Sequence, residues 1–186
     1  MVELEKPDPS EVTGSVAFPD SFSTPRLRAE RLSAAHWPDV RRMHTDPDFM
    51  AMLGGVRDEA QSAAYLERNL QHWTEHGFGL WMLRERSAGT VAGLAVLRRL
   101  TFADVDDVEV GYGFHRPYWG QGLATEIGSA CLRHAWDRLG LATVVALTAP
   151  ENVASQRVLA RLGLALDREV AFEGHPALLY RIDRPS

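Results

Sequence analysis

The sequence predicts an α/β fold with a mixed, largely antiparallel central sheet flanked by helices. Apolar residues alternate with polar ones in some segments and recur at helical spacing in others, and the two patterns are mixed along the chain. Two pairs of strand-like segments are separated by short turn sequences, residues 78–84 with 90–97 and residues 167–172 with 177–182. Hairpins make the sheet antiparallel where they dominate.

The first elements follow from the same patterns. Residues 27–32 are predicted to form a strand, and residues 33–44 a helix. Asp58 and Gln61 have the spacing of a capping box, which indicates the start of a second helix. The apolar positions of that second helix are Leu66, Leu70 and Trp73.

Length and composition indicate one globular domain. The chain has 186 residues, of which 45% are hydrophobic and 24% charged. We expect residues 1–21 to form a flexible leader and residues 22–186 to form the domain. The leader lacks the basic start and apolar core of a secretory signal. The net charge of −5 argues against a nucleic-acid partner bound through a basic surface.

The chain also lacks a predicted membrane segment, because its longest apolar-rich run, residues 139–149, is too short to cross a bilayer. Its one cysteine, Cys131, lies on the apolar face of a predicted helix and is expected in the core. A single cysteine gives no internal disulfide, which fits a cytoplasmic protein.

A glycine turn between a strand and a helix is the most informative segment. Residues 107–114 alternate as in a strand, and apolar residues recur at helical spacing from Leu123 to Leu139. Gly120 and Gly122 lie between the two elements. A helix start has unpaired N–H groups and the positive end of the helix dipole, and glycines let a phosphate approach them. The turn therefore predicts an anion site, for a pyrophosphate.

Three kinds of phosphate-binding site could contain this glycine turn. A nucleotide-triphosphatase loop needs a lysine after the glycines, and none follows. A dinucleotide site needs a third small residue at the position of Thr125 and fits poorly, although Glu151 could take the role of the ribose-binding acid. The third is a coenzyme A site.

Two motifs resemble those of the GNAT acetyltransferases. Residues 119–124, Trp-Gly-Gln-Gly-Leu-Ala, resemble the pyrophosphate-binding motif, closest to the subgroup that includes the ribosomal-protein N-terminal acetyltransferases. Residues 152–164 match the pattern N-x-x-S-x-x-V-x-x-x-x-G-F, with Leu164 in place of the aromatic residue. They follow a predicted strand at residues 143–147, as in the family. One departure is Pro117, which stands where the family often has Gln or Arg.

The resemblance implies the GNAT fold from about Ser23 onward, acetyl-CoA as co-substrate, and no metal. It implies cofactor contacts at the end of the strand, in the turn, at the helix start and at the second motif, from Phe114, His115, Gly120, Gln121, Gly122, Leu123, Ala124, Thr125 and Asn152.

It also implies the catalytic residues. A family glutamate at the strand position of Glu109 serves as general base, and the alternative is a solvent-facing strand residue. Gly111 and Gly113 share its face, which predicts open space there and either a bulge or a close backbone approach. A bulge would free backbone N–H groups. Ser155 is a candidate to hydrogen-bond the leaving thiolate, or a polar group at a helix start. Tyr112 and Tyr118 are further candidates.

The acceptor is predicted to be an amine, with the α-amine of a protein or peptide N-terminus favoured over a small amine or aminoglycoside. The acidic chain favours a positively charged acceptor, and Asp104, Asp106 and Asp107 add local negative charge, although a solvated acidic loop is the preferred interpretation of this cluster. A non-catalytic acyl-CoA binding module and a nicotinamide-dependent dehydrogenase remain alternatives. The last hairpin could pair with a second copy to form a homodimer. His72 and His76 have the i, i+4 spacing of a metal pair but lack a third ligand.

Overall fold

The fold is a single eight-stranded sheet with helices on both faces. The structure, a computed structural model, describes residues 18–185. The strands are β1 (Ser21–Ser23), β2 (Leu27–Arg31), β3 (Leu80–Glu85), β4 (Val91–Phe102), β5 (Val105–Phe114), β6 (Thr143–Thr148), β7 (Ala165–Phe172) and β8 (His175–Asp183). The helices are α1 (Trp37–Thr45), α2 (Pro47–Met50), α3 (Glu59–His76), α4 (Leu123–Asp137) and α5 (Val153–Arg161).

The strand order is β1-β2-β3-β4-β5-β6-β8-β7. Every neighbouring pair is antiparallel except β5 and β6, which are parallel. This confirms the mixed, mostly antiparallel sheet predicted from the sequence. Strand β7 lies at the edge of the sheet, so pairing with a second copy stays a prediction.

Each face of the sheet has its own core. On one face, Val110 of β5 and Ala146 of β6 pack with Ile127 of α4. On the other face, Val96 of β4 packs with Met43 of α1 and residues of α2 and α3. The two faces of β5 are therefore directed towards different helices, α4 on one side of the sheet and α1–α3 on the other.

The predicted capping box is confirmed. Asp58 Oδ1 accepts a hydrogen bond from the Gln61 backbone N–H at 2.8 Å, and Gln61 Oε1 accepts one from the Asp58 N–H at 2.9 Å. These bonds satisfy donors that the first helical turn leaves unpaired. The helix ends at Gly77, whose φ of +72° is readily adopted by glycine.

The predicted start of the domain is too late. Residues 1–17 of the proposed leader lie outside the described residues. Phe18, however, is buried and its ring lies 5.2 Å from that of Trp81, and Ser21 begins β1. The folded domain therefore includes residues 18–21. An aromatic residue with no periodic neighbours gave no sequence signal for this contact.

Two further side chains behave as the sequence suggested. Cys131 is buried in α4, and burial raises the pKa of its thiol to about 12. His72 accepts a hydrogen bond from the Arg99 N–H at Nε2, and its Nδ1 lies 2.8 Å from the Phe78 carbonyl oxygen. Both ring nitrogens are thus used within the protein. None of the described helices combines the length and apolar character needed to cross a membrane.

Candidate active site

Strands β5 and β6 share a single ladder pair. Their register contains only Glu109 opposite Val145, although β5 continues to Phe114 and β6 to Thr148. No further ladder pair joins the two strands, so on the carboxyl side of Glu109 the edge of β5 that faces β6 has no hydrogen-bonded partner strand. An unpaired backbone edge is a place where a ligand can be bound.

The opening has a different origin from the one predicted. The β4–β5 ladder runs without a register shift from Gly93 opposite Phe114 to Phe102 opposite Val105. The predicted bulge at the glycines of β5 is therefore wrong. The free backbone edge comes from the single pair between β5 and β6, and its prediction requires knowledge of the strand order.

The glycine turn has the shape of an anion cradle. Gly120 and Gly122 have φ of +73° and +77°, a conformation that L side chains rarely adopt. An added Cβ at Gly120 would meet no atom within 4 Å, and one at Gly122 would meet only Arg26 Nη2, at 3.8 Å. Gly122 caps α4 without a side chain, so the space in front of the helix start is open.

Arg26 lies beside this cradle. Its Nε lies 2.7 Å from Glu126 Oε2 on α4, and its Nη1 donates to the Gln121 carbonyl oxygen at 2.8 Å. Nη2 is directed towards Gly122 and donates to no residue of the described range. Arg26 precedes β2 and is far from the motif in sequence, so the motif could not reveal it. It places a guanidinium beside Gly122.

The other residues predicted to touch the cofactor occupy varied positions. Leu123 is buried beneath the helix start, and Ala124 and Thr125 are half-buried behind it. Gln121 donates from Nε2 to the Pro117 carbonyl oxygen at 2.8 Å. The ring of Phe114 is in the core, and its carbonyl oxygen accepts a hydrogen bond from Trp119 Nε1 at 2.7 Å.

His115 is engaged with α2. Its backbone N–H donates to the Ala92 carbonyl oxygen, and its Nδ1 lies 3.0 Å from Asp46 Oδ2. This hydrogen bond is the main cause that holds the pKa of Asp46 below its usual value. The next residue, Arg116, lies 3.1 Å from Asp48 of α2. The two pairs fasten α2 to the glycine turn, and Arg116 does not replace the side chain missing at Pro117.

The start of α5 brings polar groups to β5 and β6. Asn152 Oδ1 accepts a hydrogen bond from the Ser155 N–H at 3.0 Å, which confirms the predicted N-cap. The Tyr112 and Thr148 hydroxyls are buried without a hydrogen-bond partner in the described residues. Extending the β5–β6 register places Tyr112 opposite Thr148. Burial raises the pKa of Tyr112 to about 12, and the Ser155 side chain acts in the opposite direction. Buried hydroxyls of this kind need a partner.

The other candidate tyrosine is elsewhere. The Tyr118 hydroxyl lies 2.8 Å from Thr90 Oγ1. The structure thus brings Tyr112 close to Ser155 and gives Tyr118 a partner outside the opening.

Glu109 lies at the one position of β5 that pairs with β6, on the face towards α1–α3. It is 6% exposed, and its Oε2 accepts a hydrogen bond from Arg98 Nε at 2.6 Å. Glu109 is therefore a buried, paired carboxylate and not a solvent-facing residue. Arg98 sits directly opposite on β4, and sequence reasoning missed it because the β4–β5 hairpin was not predicted.

The glycines of β5 are closely packed. A Cβ on Gly113 would lie 3.1 Å from Phe49 Cζ of α2, and one on Gly111 would lie 2.9 Å from Val96 Cγ1. The predicted open space on this face is therefore wrong at both glycines, since neighbouring side chains occupy it.

The acidic cluster near β5 is neutralised. Asp104, Asp106 and Asp107 each lie within 3.5 Å of an arginine guanidinium, those of Arg168, Arg99 and Arg181. The alternative, in which this cluster favours a cationic acceptor, is therefore not supported by its geometry.

The family profile described as "Acetyltransferase (GNAT) domain" matches residues 26–165, which contain β5 and β6, the cradle and the start of α5. The chain belongs to this family. It is an acyltransferase that uses acetyl-CoA, and the fold predicted from the sequence is confirmed. The finer subgroup of ribosomal-protein acetyltransferases stays a prediction.

Three similar proteins illustrate the GNAT relationship. The FsC-acetyl coenzyme A-N(2)-transacetylase of Aspergillus fumigatus is 29% identical over 77% of this chain and 64% of its own length. An acetyltransferase from Agrobacterium tumefaciens has a similar structure, with a TM-score of 0.78, 23% identity and 99% coverage of both chains. RimL, a ribosomal L7/L12 alpha-N-protein acetyltransferase solved with coenzyme A, has a TM-score of 0.70 at 15% identity, covering 86% of this chain and 95% of RimL. The last two likenesses concern the fold.

The residues at the opening fit acetyl-CoA. The cradle of this GNAT domain has room and donors for a pyrophosphate, and the unpaired edge of β5 and the unpartnered hydroxyls suit the amide-bearing arm of the cofactor. Across residues 18–185, His, Cys, Asp and Glu side chains form no group of three or more suited to a metal ion.

Proposed function

We propose that the protein transfers an acetyl group from acetyl-CoA to a primary amine by direct attack, with Glu109 as general base. The observation that supports this most is the place of Glu109, buried at the one residue of β5 that pairs with β6. Glu109 faces α1–α3, whereas Tyr112 faces the core beside α4 and α5. A thioester in the opening would have a base on one side and hydroxyl donors on the other.

The bonds change as follows in this proposal. Glu109 first takes one proton from the ammonium, directly or through water. The neutral nitrogen then bonds to the thioester carbonyl carbon, the C–S bond breaks, and the second proton leaves the nitrogen for the leaving thiolate. The leaving thiolate accepts hydrogen bonds from Ser155 and Tyr112. A thiol has a pKa near about 8.5, and the pKa of Tyr112 is raised to about 12. Full proton transfer from Tyr112 to the thiolate would be uphill by about 5 kcal/mol, so these hydroxyls stabilise the thiolate by hydrogen bonding.

The acceptor we favour is the α-amine of a peptide or protein N-terminus. An α-amine has a pKa near about 8, compared with about 10.4 for lysine, so more of it is neutral and nucleophilic at pH 7. The acetyl-CoA-dependent N(2)-transacetylase among the relatives supports an amine acceptor. Small amines and aminoglycosides are the second class.

The test uses one peptide with a free N-terminus and an internal lysine, incubated with acetyl-CoA and mapped by fragment mass spectrometry. Acetylation at the N-terminus is expected, and the same peptide with a blocked N-terminus should be inert. Modification only at lysine, or reaction only with small amines, would rule out the α-amine assignment. Absence of coenzyme A release with every amine would favour a non-catalytic acyl-CoA binding module.

A further inference from the structure

The Arg98–Glu109 pair keeps unused hydrogen-bonding groups on the acceptor side of the sheet. The pair is joined by Arg98 Nε and Glu109 Oε2. Glu109 Oε1, Arg98 Nη1 and Arg98 Nη2 have no hydrogen-bond partner among residues 18–185. The Arg98 side chain is 35% exposed, whereas that of Glu109 is 8% exposed. The free donors of the guanidinium are therefore the more exposed part of the pair, and the carboxylate lies deeper beside them.

Stability does not explain such a pair well. Removing two charges from water costs free energy that their attraction often fails to recover, and an apolar pair would pack here beside Val96 and Gly111. A guanidinium has five donors, and one is used. A planar fork of free N–H groups is the arrangement that binds carboxylates with two parallel hydrogen bonds.

Further arginines act electrostatically near this pair. Burial raises the pKa of the nearby Tyr65 phenol, and the positive charges of Arg98, Arg57 and Arg68 act against that rise. The carboxylates acting on these groups are Glu109, on both Tyr65 and Arg98, and Glu173 of the β7–β8 turn, on Arg98.

We propose that the acceptor carries a carboxylate close to the amine that it presents, and that Arg98 binds this carboxylate while Glu109 receives the amine. This inference rests on the proposed acetyl transfer and specifies its substrate class. The free oxygen of Glu109 and the free donors of Arg98 belong to one ion pair, so a single ligand with an amine and a carboxylate a few bonds apart matches both. A free amino acid and a peptide with an acidic first residue share this chemistry.

The experiment compares acceptors that differ only in the carboxylate. A set of amino acids is assayed beside the corresponding amino-acid amides and decarboxylated amines, with kcat/KM measured from coenzyme A release. Peptides that begin with Glu or Gln form the second arm and distinguish the two sources. Hydrogen bonds to a charged group contribute about 1.5–3 kcal/mol, so we expect the carboxylate form to be preferred about 10- to 150-fold in at least one arm.

Variants of Arg98 test whether this residue binds the carboxylate of the acceptor. Arg98→Lys keeps a cation beside Glu109 but removes the fork, and should lose most of this preference while coenzyme A affinity is unchanged. Arg98→Met should abolish the preference for the carboxylate form. If this variant fails to fold, Arg98→Lys, which keeps the positive charge, still tests the inference. Arg99→Gln is the matched control, because Arg99 is paired with the exposed Asp106 and should leave the preference intact.

Failure of the inference differs from failure of the proposed function. Equal use of carboxylate, amide and amine forms by the wild-type protein would overturn the inference and leave acetyl transfer standing. Absence of transfer to every amine would overturn the proposed function. Calorimetry of the coenzyme A complex with the same amino acids would then decide the inference, which fails if carboxylate and amide forms bind equally or not at all.

Discussion

The proposed cofactor side and the proposed acceptor side of this protein are built in different ways. The cradle consists of backbone groups and two glycines within a few residues of one another, with α4 starting directly behind them. The acceptor side consists of side chains from β4, β5 and α3, joined by an ion pair and buried polar contacts. A site formed by backbone groups that are close together in the sequence can be recognised from a short motif. A site formed by side chains that are distant in the sequence can be recognised only when the strand register and the packing are known. The two sides should therefore respond differently to substitution.

Glu109→Gln should have the largest effect and should be confined to turnover. The amide keeps the volume and can still accept a hydrogen bond from Arg98, but it cannot take a proton. General-base catalysis contributes about 10²- to 10⁴-fold, so we expect kcat to fall by that order near pH 7 with coenzyme A affinity unchanged. The deficit should shrink at high pH, where the amine is already neutral. A wild-type pH–rate profile in this variant would assign Glu109 a structural role.

The acceptor side should also limit stability in mild acid. His44 is buried in α1, 3.0 Å from Ser62 Oγ and within hydrogen-bond distance of Arg57. Burial, followed by the charges of Arg57 and Arg41, lowers the pKa of His44 from 6.5 to about 4. Below pH 6.5, His44 binds a proton in the unfolded chain but remains neutral in the folded protein until the pH approaches 4. Stability is therefore fully present above pH 6.5 and falls by about 3 kcal/mol as the pH drops to 4.

The control for this expectation is His44→Gln, which retains a donor and an acceptor but does not titrate. Denaturant unfolding at several pH values should show a shallower loss of stability in the variant between pH 6.5 and 4. Parallel curves for the two proteins would show that His44 is not the group responsible.

On the cofactor side, Gly122→Val should reduce coenzyme A affinity at least about tenfold, or roughly 1.4 kcal/mol. The new side chain would enter the space in front of α4. It would also cost about 1–2 kcal/mol of stability, because φ at this residue is +77°. Gly140→Val is the matched control, since Gly140 has φ of +62° and open space around it but lies beyond the far end of α4. Calorimetry with both variants separates strain from binding, and equal affinities would refute the pyrophosphate assignment.

The smallest expected effect concerns a side chain on the cofactor side. Arg26→Gln should weaken coenzyme A binding about fivefold, because a half-exposed guanidinium contributes less than a buried one to a phosphate contact. The KM for acetyl-pantetheine, which lacks phosphate, should stay unchanged. Arg28→Gln, on β2 and paired with Glu30, serves as the control. A similar loss with both acyl donors would mean that Arg26 acts only by bracing Glu126.

This contrast also explains what the sequence could predict. The glycine turn, the Asn152 cap and the hairpin of β7 and β8 were predictable because each depends on residues close together in the chain. The Arg98–Glu109 pair depends on the register of the β4–β5 hairpin. This hairpin was not predicted, because no turn signal was recognised between its two strands. Arg26 and Glu126 meet through packing between the region before β2 and α4. The opening beside β5 depends on strand order, since a parallel neighbour that pairs at a single residue leaves no local pattern.

The burial of Cys131 makes the protein unusually convenient to assay. It is the one cysteine of the chain, and its pKa of about 12 leaves almost no thiolate in the folded state. Aromatic disulfide reagents that detect coenzyme A as it is released should therefore give no background signal from the enzyme. When no substrates are added, the same reagents should label Cys131 only in molecules whose core has opened. One chemical reaction would then report turnover in one experiment and the rate of unfolding in another.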